Sequence, residues 1–371
     1  MTDFLQLHLL TAYGPANLNR DDTGRPKSAI FGGVPRLRIS SQSLKRAWRT
    51  SDVFATRLAD HMASRTQRFG QDIHDHLLAG GMDEEKALVT ARAIAGAFGK
   101  IRDDFKDTPT FIEQLAFISP EEQADAIALA DRAIAGEDLE LVAKPGAKEK
   151  EESRPEKTTE KLLRRTDTAA DIAMFGRMLA NTPKFNREAA VQVAHAITTH
   201  RAIAEDDYYT AVDDLKSRDE PEDAGAGFVG VQEFGSGVFY LYVCVDRDLL
   251  LRNLENSLAV REASLAALVE AAATVGPKGK QASFASRTYA LYGLGEKGHA
   301  QPRSLAAAFL DPVSLDRISG NGDYGSRSVG ALEAFRDRLD QAYGPCADDR
   351  YTMNVLTGQG TLPALIDFAA N

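Results

Sequence analysis

The 371-residue sequence predicts an α+β fold in which a β-sheet domain is divided along the chain and carries an inserted helical subdomain. Three observations predict it. Apolar and polar residues alternate over residues 4–10, which is the pattern of a β-strand. Residues 55–134 are rich in alanine and repeat their apolar residues at helical spacing. Strand patterns return after residue 190, and the unbroken apolar run at residues 238–245 is typical of a strand covered on both faces.

The first element is a strand that we expect to be buried on one face only. Its leucines point to one side, whereas Gln6 and His8 point to the other. Residues 11–35 are rich in Gly, Pro, Asn and Asp and predict a long loop. Alternation resumes at Arg36 and Arg38, which lie on the face opposite the apolar residues that follow each of them.

A helix is predicted immediately after this second strand. Ser40 or Ser41 is a suitable N-cap, and Leu44 and Trp48, four residues apart, form an apolar stripe. The later predicted elements are strands at residues 191–199, 228–231, 238–245 and 288–292, helices at residues 247–256, 260–274 and 328–343, and a final strand with a short helix.

A highly charged segment separates the helical part from the later strands. Residues 144–161 contain 11 charged residues and two prolines among 18 positions, with Ala147 as the single apolar residue. Such a composition cannot bury enough apolar surface to order itself. We therefore expect a disordered linker or a mobile loop.

Charge is distributed unevenly along the chain. The net charge of −10 argues against a protein whose entire surface binds nucleic acid or an anionic membrane. The first 50 residues, however, contain eight basic and three acidic residues, and residues 23–49 contain seven basic residues and no acidic one. The sequence therefore predicts a local basic surface, unless acidic residues from elsewhere in the fold neutralise it.

Cysteine usage and hydropathy restrict the class of protein further. Cys244 and Cys346 occur in no disulfide or metal-binding pattern, and we expect both to be buried apolar residues. No segment is apolar for long enough to span a membrane, and no leader pattern begins the sequence. We expect a cytoplasmic protein without membrane contact.

Other motifs carry less information. GxGxxG occurs three times, starting at Gly225, Gly293 and Gly320, but no copy lies clearly inside the βαβ unit that dinucleotide binding requires. A nucleotide-dependent enzyme is therefore a minor alternative. Asp21 and Asp22 could hold a divalent cation or activate water near a phosphate, but we favour an ordinary turn. No metal or cofactor is predicted.

The strongest chemical signal extends from Arg36 to Arg49. A strand delivers two arginines on one face, and the helix that follows begins with free backbone N–H groups, serine hydroxyls and no acid. Gln42, Lys45 and Arg49 then lie along one side of the helix. A row of such donors follows a phosphate backbone without reading bases, which indicates sequence-independent binding of nucleic acid.

Several stretches of this sequence resemble a known family. In the N-terminal part they are residues 18–22 (LNRDD), Lys27, residues 29–33 (AIFGG) and residues 38–47 (RISSQSLKRA). Farther along they are residues 194–200 (AHAITTH), 209–215 (YTAVDDL), 232–234 (QEF), 236–240 (SGVFY) and 287–290 (RTYA). Together they are similar to the CasC family, the backbone subunit of the type I-E CRISPR effector complex Cascade.

The resemblance implies a fold and a set of partners. The fold would be a modified ferredoxin-like (RRM-like) palm with inserted helical fingers and a protruding thumb hairpin. Copies would stack as a filament along the spacer of a CRISPR RNA, beside other Cascade subunits, while the RNA bases pair with target DNA. The implied regions are the palm at residues 1–54, the fingers at 55–143, a charged linker or mobile loop at 144–165, the thumb region at 166–190 and the second part of the palm at 191–371.

The resemblance also assigns site residues by position. The residues that would contact RNA are Arg20, Lys27, Arg38, Ser40, Gln42, Lys45, Arg46 and Arg49. Met178 would be an apolar wedge, with Tyr209 and Thr210 supporting the displaced nucleotide, although the sequence alone would make Met178 a core residue. The protein would be non-catalytic; the alternative is a metal-dependent ribonuclease of the same superfamily that uses Asp21 or Asp22.

Overall fold

The computed structural model describes residues 2–102, 107–137, 139, 161–179, 182–211, 228–315 and 322–371. The chain divides into two compact units, the first formed by Met1–Arg57, Gln192–Asp246 and Leu265–Asn371, and the second by Leu58–Val191 and Arg247–Ser264. Nearly all of the predicted linker at 144–161 lies outside the described residues. In the described part of the chain, no helix is long and apolar enough to cross a membrane.

Strands and helices alternate irregularly along the chain. The strands are β1 (Phe4–Ala16), β2 (Ser28–Phe31), β3 (Val34–Ile39), β4 (Ser64–Thr66), β5 (Ala116–Ile118), β6 (Val191–Val193), β7 (Ala196–Thr198), β8 (Glu205–Ala211), β9 (Phe228–Asp246), β10 (Ala290–Gly298) and β11 (Asp349–Asn354). The helices are α1 (Ser41–Arg49), α2 (Asp52–Arg57), α3 (Phe69–Ala79), α4 (Glu84–Ala95), α5 (Pro120–Ile134), α6 (Ala170–Phe175), α7 (Arg247–Asn253), α8 (Leu258–Thr274), α9 (Gln281–Phe284), α10 (Tyr324–Tyr343) and α11 (Leu362–Ala370).

An antiparallel sheet organises the first unit. Its strands follow the order β11-β10-β1-β9-β7-β3-β2, and β6 and β8 pair with β9 beside this path. Strand β1 lies between β9 and β10 and pairs antiparallel with both. Strands from the two ends of the sequence thus form one sheet, which confirms the predicted α+β architecture. The two apolar runs predicted at 228–231 and 238–245 belong to the single strand β9.

Strand β1 differs from its prediction in length and burial. It continues to Ala16, and Gln6 and His8 are buried rather than exposed. Helix α10 packs over their face of the sheet, where Leu10 and Leu332 share one apolar cluster. Both faces of β1 are therefore covered, and the polar side chains are buried together with hydrogen-bonding partners.

Part of the predicted loop at residues 11–35 is a β-hairpin. Strands β2 and β3 pair antiparallel, with Phe31 opposite Val34. Gly32 and Gly33 form the two-residue turn with φ values of +61° and +77°, which glycine adopts without steric cost. A Gly-Gly pair between two short β-branched or aromatic runs is a hairpin signal, so the sequence contains a local indication of this hairpin.

The second GxGxxG match lies inside a strand and serves packing. Gly293 and Gly295 belong to β10, and a Cβ atom at either position would lie 3.0 Å from Leu365 of α11. Glycine at these positions lets α11 approach the sheet closely. This copy is not a phosphate-binding loop, and residues Gly225 and Gly320 of the other copies lie outside the described residues. The prediction for the cysteines is confirmed, because Cys244 and Cys346 are free and buried.

The second unit is mostly helical, as the apolar spacing predicts, although β4 and β5 add a small antiparallel pair that the spacing does not predict. Helix α5 begins with a capping box in which Ser119 and Glu122 bond each other's backbone N–H. Glu122 is fully buried and also accepts a hydrogen bond from Arg177 at 2.6 Å. This ion pair connects α5 to the segment that follows α6.

Candidate nucleic-acid interface

Helix α1 has an apolar side and a polar side. Leu44 and Trp48 are buried, and the Trp48 indole N–H donates to the carbonyl oxygen of Val275 at 3.2 Å. The opposite side consists of exposed or partly exposed residues, which are Gln42, Lys45, Arg46 and Arg49. Partial burial lowers the pKa of the Lys45 ammonium group. The helix is thus fixed through its apolar side and leaves three basic side chains accessible.

The start of α1 is tied to the loop that carries Arg20. Ser40 is the N-cap residue, as predicted, but its hydroxyl makes no hydrogen bond to the helix. Its backbone N–H donates to Asn19 Oδ1 at 2.8 Å, and the residue is buried. The first turn of α1 contains no acidic side chain, which leaves its N-terminal end suited to an anion.

Lys27, Arg38 and His195 form a second basic group at the same surface. Arg38 Nη1 lies 2.7 Å from His195 Nδ1, and Arg38 Nε donates to the Ser28 carbonyl oxygen at 3.4 Å. Partial burial and the nearby charges of Arg38 and Lys27 lower the pKa of His195. Because the Arg38 guanidinium can only donate, His195 Nδ1 accepts from it, which leaves the ring proton on Nε2 as a donor.

Arg36 does not belong to this surface, which corrects the expectation that both strand arginines face a phosphate. It is fully buried and donates to three backbone carbonyl oxygens, those of Phe31, Thr198 and Phe309, at 3.2, 3.1 and 2.7 Å. Arg36 joins three segments of the first unit. Its charge is satisfied internally and is unavailable to a ligand.

The loop between β1 and β2 holds Arg20 and Lys27 in a tight turn. Asp21 Oδ1 accepts from Thr23 N, Thr23 Oγ1 and Arg25 N at 2.9, 2.8 and 2.9 Å. The Thr23 hydroxyl is the main cause that lowers the pKa of Asp21. One oxygen of Asp21 thus closes the turn, while Asp22 is exposed. Among the described residues, no group of three or more His, Cys, Asp and Glu could hold a metal ion.

Basic residues at this surface differ in whether an acid neutralises them. Arg25 pairs with Glu233 at 2.7 Å. Within the ranges that the structure describes, four other basic residues form no ion pair, namely Arg20, Lys27, Arg38 and Arg46. We call these four residues, together with Gln42, Lys45 and Arg49, the basic surface. Because the first four of these side chains form no ion pair in the described part of the chain, the basic surface presents positive charge in a chain of net charge −10.

Met178 lies in the second unit and is exposed. Arg177 and Arg187 exchange backbone hydrogen bonds of 3.0 and 2.8 Å, so the segment between them begins and ends as a hairpin. Met178 is 83% exposed, although Arg177 before it and Leu179 after it are buried. Its assignment to a core, which the sequence alone suggests, is wrong. An exposed methionine on a fixed base fits the wedge role that the resemblance implies.

This exposure leads to a prediction for stability. Met178→Ala should change the free energy of unfolding by less than about 0.5 kcal/mol, because the side chain already contacts water. Leu179→Ala at the next position should cost about 2–4 kcal/mol, because Leu179 is 6% exposed and belongs to the core of the second unit. Chemical denaturation of both variants measures the difference. Equal losses would show that Met178 is buried in solution.

Tyr209 and Thr210 belong to the first unit, on strand β8, which pairs with β9. Tyr209 is 45% exposed and its ring lies over Gly230, where a Cβ atom would be 2.6 Å from Tyr209 Cζ. Thr210 is exposed. Both side chains are accessible on a two-stranded ribbon, and the structure assigns them to a different unit from Met178.

Sequence reasoning missed two features of the first unit. The contact between Arg38 and His195 joins residues 157 positions apart and has no local signal. The second feature is a further basic segment that contains Lys278, Lys280 and Arg287. It does have a local signal, because residues 271–295 contain no acidic residue, as is also true of residues 23–49.

Known families and structures include relatives of this chain. A chain of a solved structure described as "CRISPR RNA-guided surveillance complex, pre-nicking" is 29% identical, with a TM-score of 0.81 over 99% of each chain. A chain of another, described as "CRISPR RNA-guided surveillance complex", is 24% identical, with a TM-score of 0.72 over 99% of each chain, and shows the likeness of fold alone. No curated protein matches the sequence. The sequence model of the family described as CT1975-like protein matches residues 5–365, and this chain therefore belongs to the CT1975-like protein family.

Proposed function

We propose that this protein is an RNA-binding subunit of a Cascade-type CRISPR surveillance complex. Its family and its likeness to chains of such complexes support the Cascade-type role. The observation that carries RNA binding is the basic surface, where four basic residues lack ion pairs among the described residues although the chain as a whole is acidic. Charges of this kind neutralise phosphates and release counterions, which supplies affinity without base specificity.

We propose further that the protein is a CasC-type backbone subunit of a type I-E complex in the cytoplasm. Copies of the chain would stack along the spacer of a CRISPR RNA, beside other Cascade subunits, and would leave its bases free to pair with target DNA. The antiparallel sheet of the first unit would be the modified ferredoxin-like palm, and the helices of the second unit would be the fingers. Met178 would be the wedge of the thumb.

Purification of the expressed complex tests this function. We expect RNA of uniform length to copurify with several copies of the chain, because a filament on one guide has a defined length. Native mass spectrometry and denaturing gels measure the copy number and the RNA length. Absence of RNA, or RNA of random length that high salt removes completely, would contradict the proposal.

We also propose that the protein is non-catalytic. Asp21 supports this reading because its Oδ1 accepts three hydrogen bonds that close the Arg20 loop, which gives the residue a structural role. The alternative is a metal-dependent ribonuclease in which Asp21 or Asp22 assists cleavage of paired RNA.

Incubation of the assembled complex with labelled complementary RNA and Mg²⁺ distinguishes the two readings. We expect no periodic cleavage by the wild-type complex. Cleavage that is lost in Asp22→Ala would establish the ribonuclease, because Asp22 is exposed and its removal leaves the turn intact. Asp21→Ala requires a thermal melt beside it, because loss of activity there can follow from opening of the turn.

A further inference from the structure

Residues 276–289, which we call the second basic loop, lie next to the basic surface. A Cβ atom at Gly279 would be 2.4 Å from the carbonyl oxygens of both Asn17 and Leu18, so the loop touches the segment that leads into Arg20. Lys280 Nζ donates to Gln232 Oε1 at 2.7 Å and fixes the loop to β9. The loop is therefore packed against the first unit and forms part of its surface.

The backbone of the second basic loop is strained at two positions. Lys280 and Ala285 adopt φ values of +50° and +47°, in the left-handed region that residues with a Cβ atom rarely occupy. They enclose the single turn α9. Strained backbone of this kind persists where surrounding contacts hold it in place, and it is frequent at ligand-binding sites. The strained turn lies between Lys278 and Arg287, the two exposed basic residues of the loop.

A pocket of about 450 Å³ lies between the second basic loop and the start of α2. Lys278, Arg287 and Tyr289 line it, and Tyr289 is 71% exposed. The exposed carboxylate of Asp52 also lines the pocket, but neither basic residue lies within ion-pair distance of it or of any other acid in the described chain. The pocket thus combines two basic side chains that form no ion pair, the accessible ring of Tyr289, and the Asp52 carboxylate, which can accept hydrogen bonds.

We propose that this pocket binds one nucleotide of a single-stranded nucleic acid. Lys278 and Arg287 contact its phosphate, and Tyr289 stacks on its base. A volume of about 450 Å³ suits a ligand of this size. Arginine supplies planar donors to phosphate oxygens, and aromatic rings bind bases of any sequence by stacking. The site continues the basic surface and rests on the RNA-binding function proposed above.

Binding of a 30-nucleotide polyuridine RNA at several salt concentrations tests the phosphate contacts. Lys278→Ala with Arg287→Ala should lower the salt slope of binding by about 0.7, because both side chains contact the phosphate of one nucleotide and each phosphate neutralised on a single strand contributes about 0.7. The control is Lys86→Ala with Arg338→Ala, which also removes two positive charges but outside the pocket. Both residues are exposed, and the control should leave the slope unchanged. If the pocket variant and the control behave alike, the pocket site is wrong.

Tyr289 tests the stacking contact separately. Tyr289→Ala should weaken binding by about tenfold or more, whereas Tyr289→Phe should retain it within about twofold, because the ring supplies the stacking. Photocrosslinking with 4-thiouridine in the RNA, or with 4-thiothymidine in a target DNA strand, should label a peptide containing Tyr289 and reveals which strand occupies the pocket. No label at Tyr289 from either strand would overturn the site.

A comparison with the α1 variant separates failure of the pocket from failure of the proposed function. If Lys45→Ala with Arg49→Ala abolishes binding while the pocket variants do not, only the pocket proposal fails. If the wild type binds no RNA, both proposals fail.

Discussion

Replacement of Lys45 and Arg49 by alanine should weaken RNA binding uniformly across RNA sequences. Both side chains lie on the accessible side of α1, whose other side is fixed by buried Leu44 and Trp48. Two charged contacts at about 1.5 kcal/mol each amount to about 3 kcal/mol, or about a hundredfold in Kd. Because the contacts are to phosphates, the slope of log K against log salt should also fall by about 1.4.

A charge-preserving variant is the matched control. Lys45→Arg with Arg49→Lys keeps both positive charges on the same side of α1 and should retain most of the affinity and the full salt slope. Titrations with RNAs of different sequence at three salt concentrations measure both quantities. A slope unchanged in the double alanine variant would mean that Lys45 and Arg49 contact no phosphate, whatever happens to the affinity.

Glu296→Gln should cause a large loss of stability in the first unit. Glu296 is fully buried in β10, and its carboxylate accepts from Arg303 Nη1 at 2.5 Å and from Arg350 Nε at 2.7 Å. It also lies 3.2 Å from His8 Nε2. Removing one partner of a buried ionic group leaves the others uncompensated, which costs about 3–5 kcal/mol. Asp340 also pairs with both arginines, so we expect the lower end of that range.

The Glu296 carboxylate also makes the free energy of unfolding depend on pH. Burial alone would raise the pKa of Glu296, but hydrogen bonds from His8 and Arg303 lower it well below its ordinary value. The folded state therefore binds a proton less readily than the unfolded state, and the stabilisation is present above pH about 4.3 and lost as the pH falls. Burial also lowers the pKa of His8, which destabilises the fold in acid below about pH 6.5.

Chemical denaturation at a series of pH values measures this dependence. Between pH 5 and pH 3 the wild type should lose more free energy of unfolding than Glu296→Gln, because only the wild type has this carboxylate to protonate. Thermal midpoints at pH 7 provide the reference for each variant. Curves that run parallel over this range would show that the pKa of this carboxylate is the same in the folded and the unfolded protein.

The prediction of α1 succeeded because its signals are local. An N-cap serine, an apolar pair four residues apart and an acid-free first turn all lie within ten residues, and the structure has the helix at Ser41–Arg49. The prediction for β1 failed in burial, because alternation shows which side chains share a face but not what covers that face. Helix α10, more than 300 residues later, packs over the sheet face that carries Gln6 and His8.

The basic surface was predictable only as a region. The charge count places a basic segment at residues 23–49, and the resemblance names residues within it. Arg36 and Arg38 have the same local pattern and the same strand face, yet one is buried and the other contacts the exposed His195. The difference arises because the Phe309 carbonyl approaches Arg36 from a distant segment.

By itself, the sequence of this protein determined the kinds of element, the α+β class and the position of an acid-free basic segment. These properties depend on residue spacing and composition over short stretches, where backbone geometry sets the period. The tertiary structure decided which basic side chains stay accessible, that Met178 is exposed, and that residues 276–289 adjoin the Arg20 loop. Such outcomes depend on contacts between segments hundreds of residues apart, and no local period encodes those contacts.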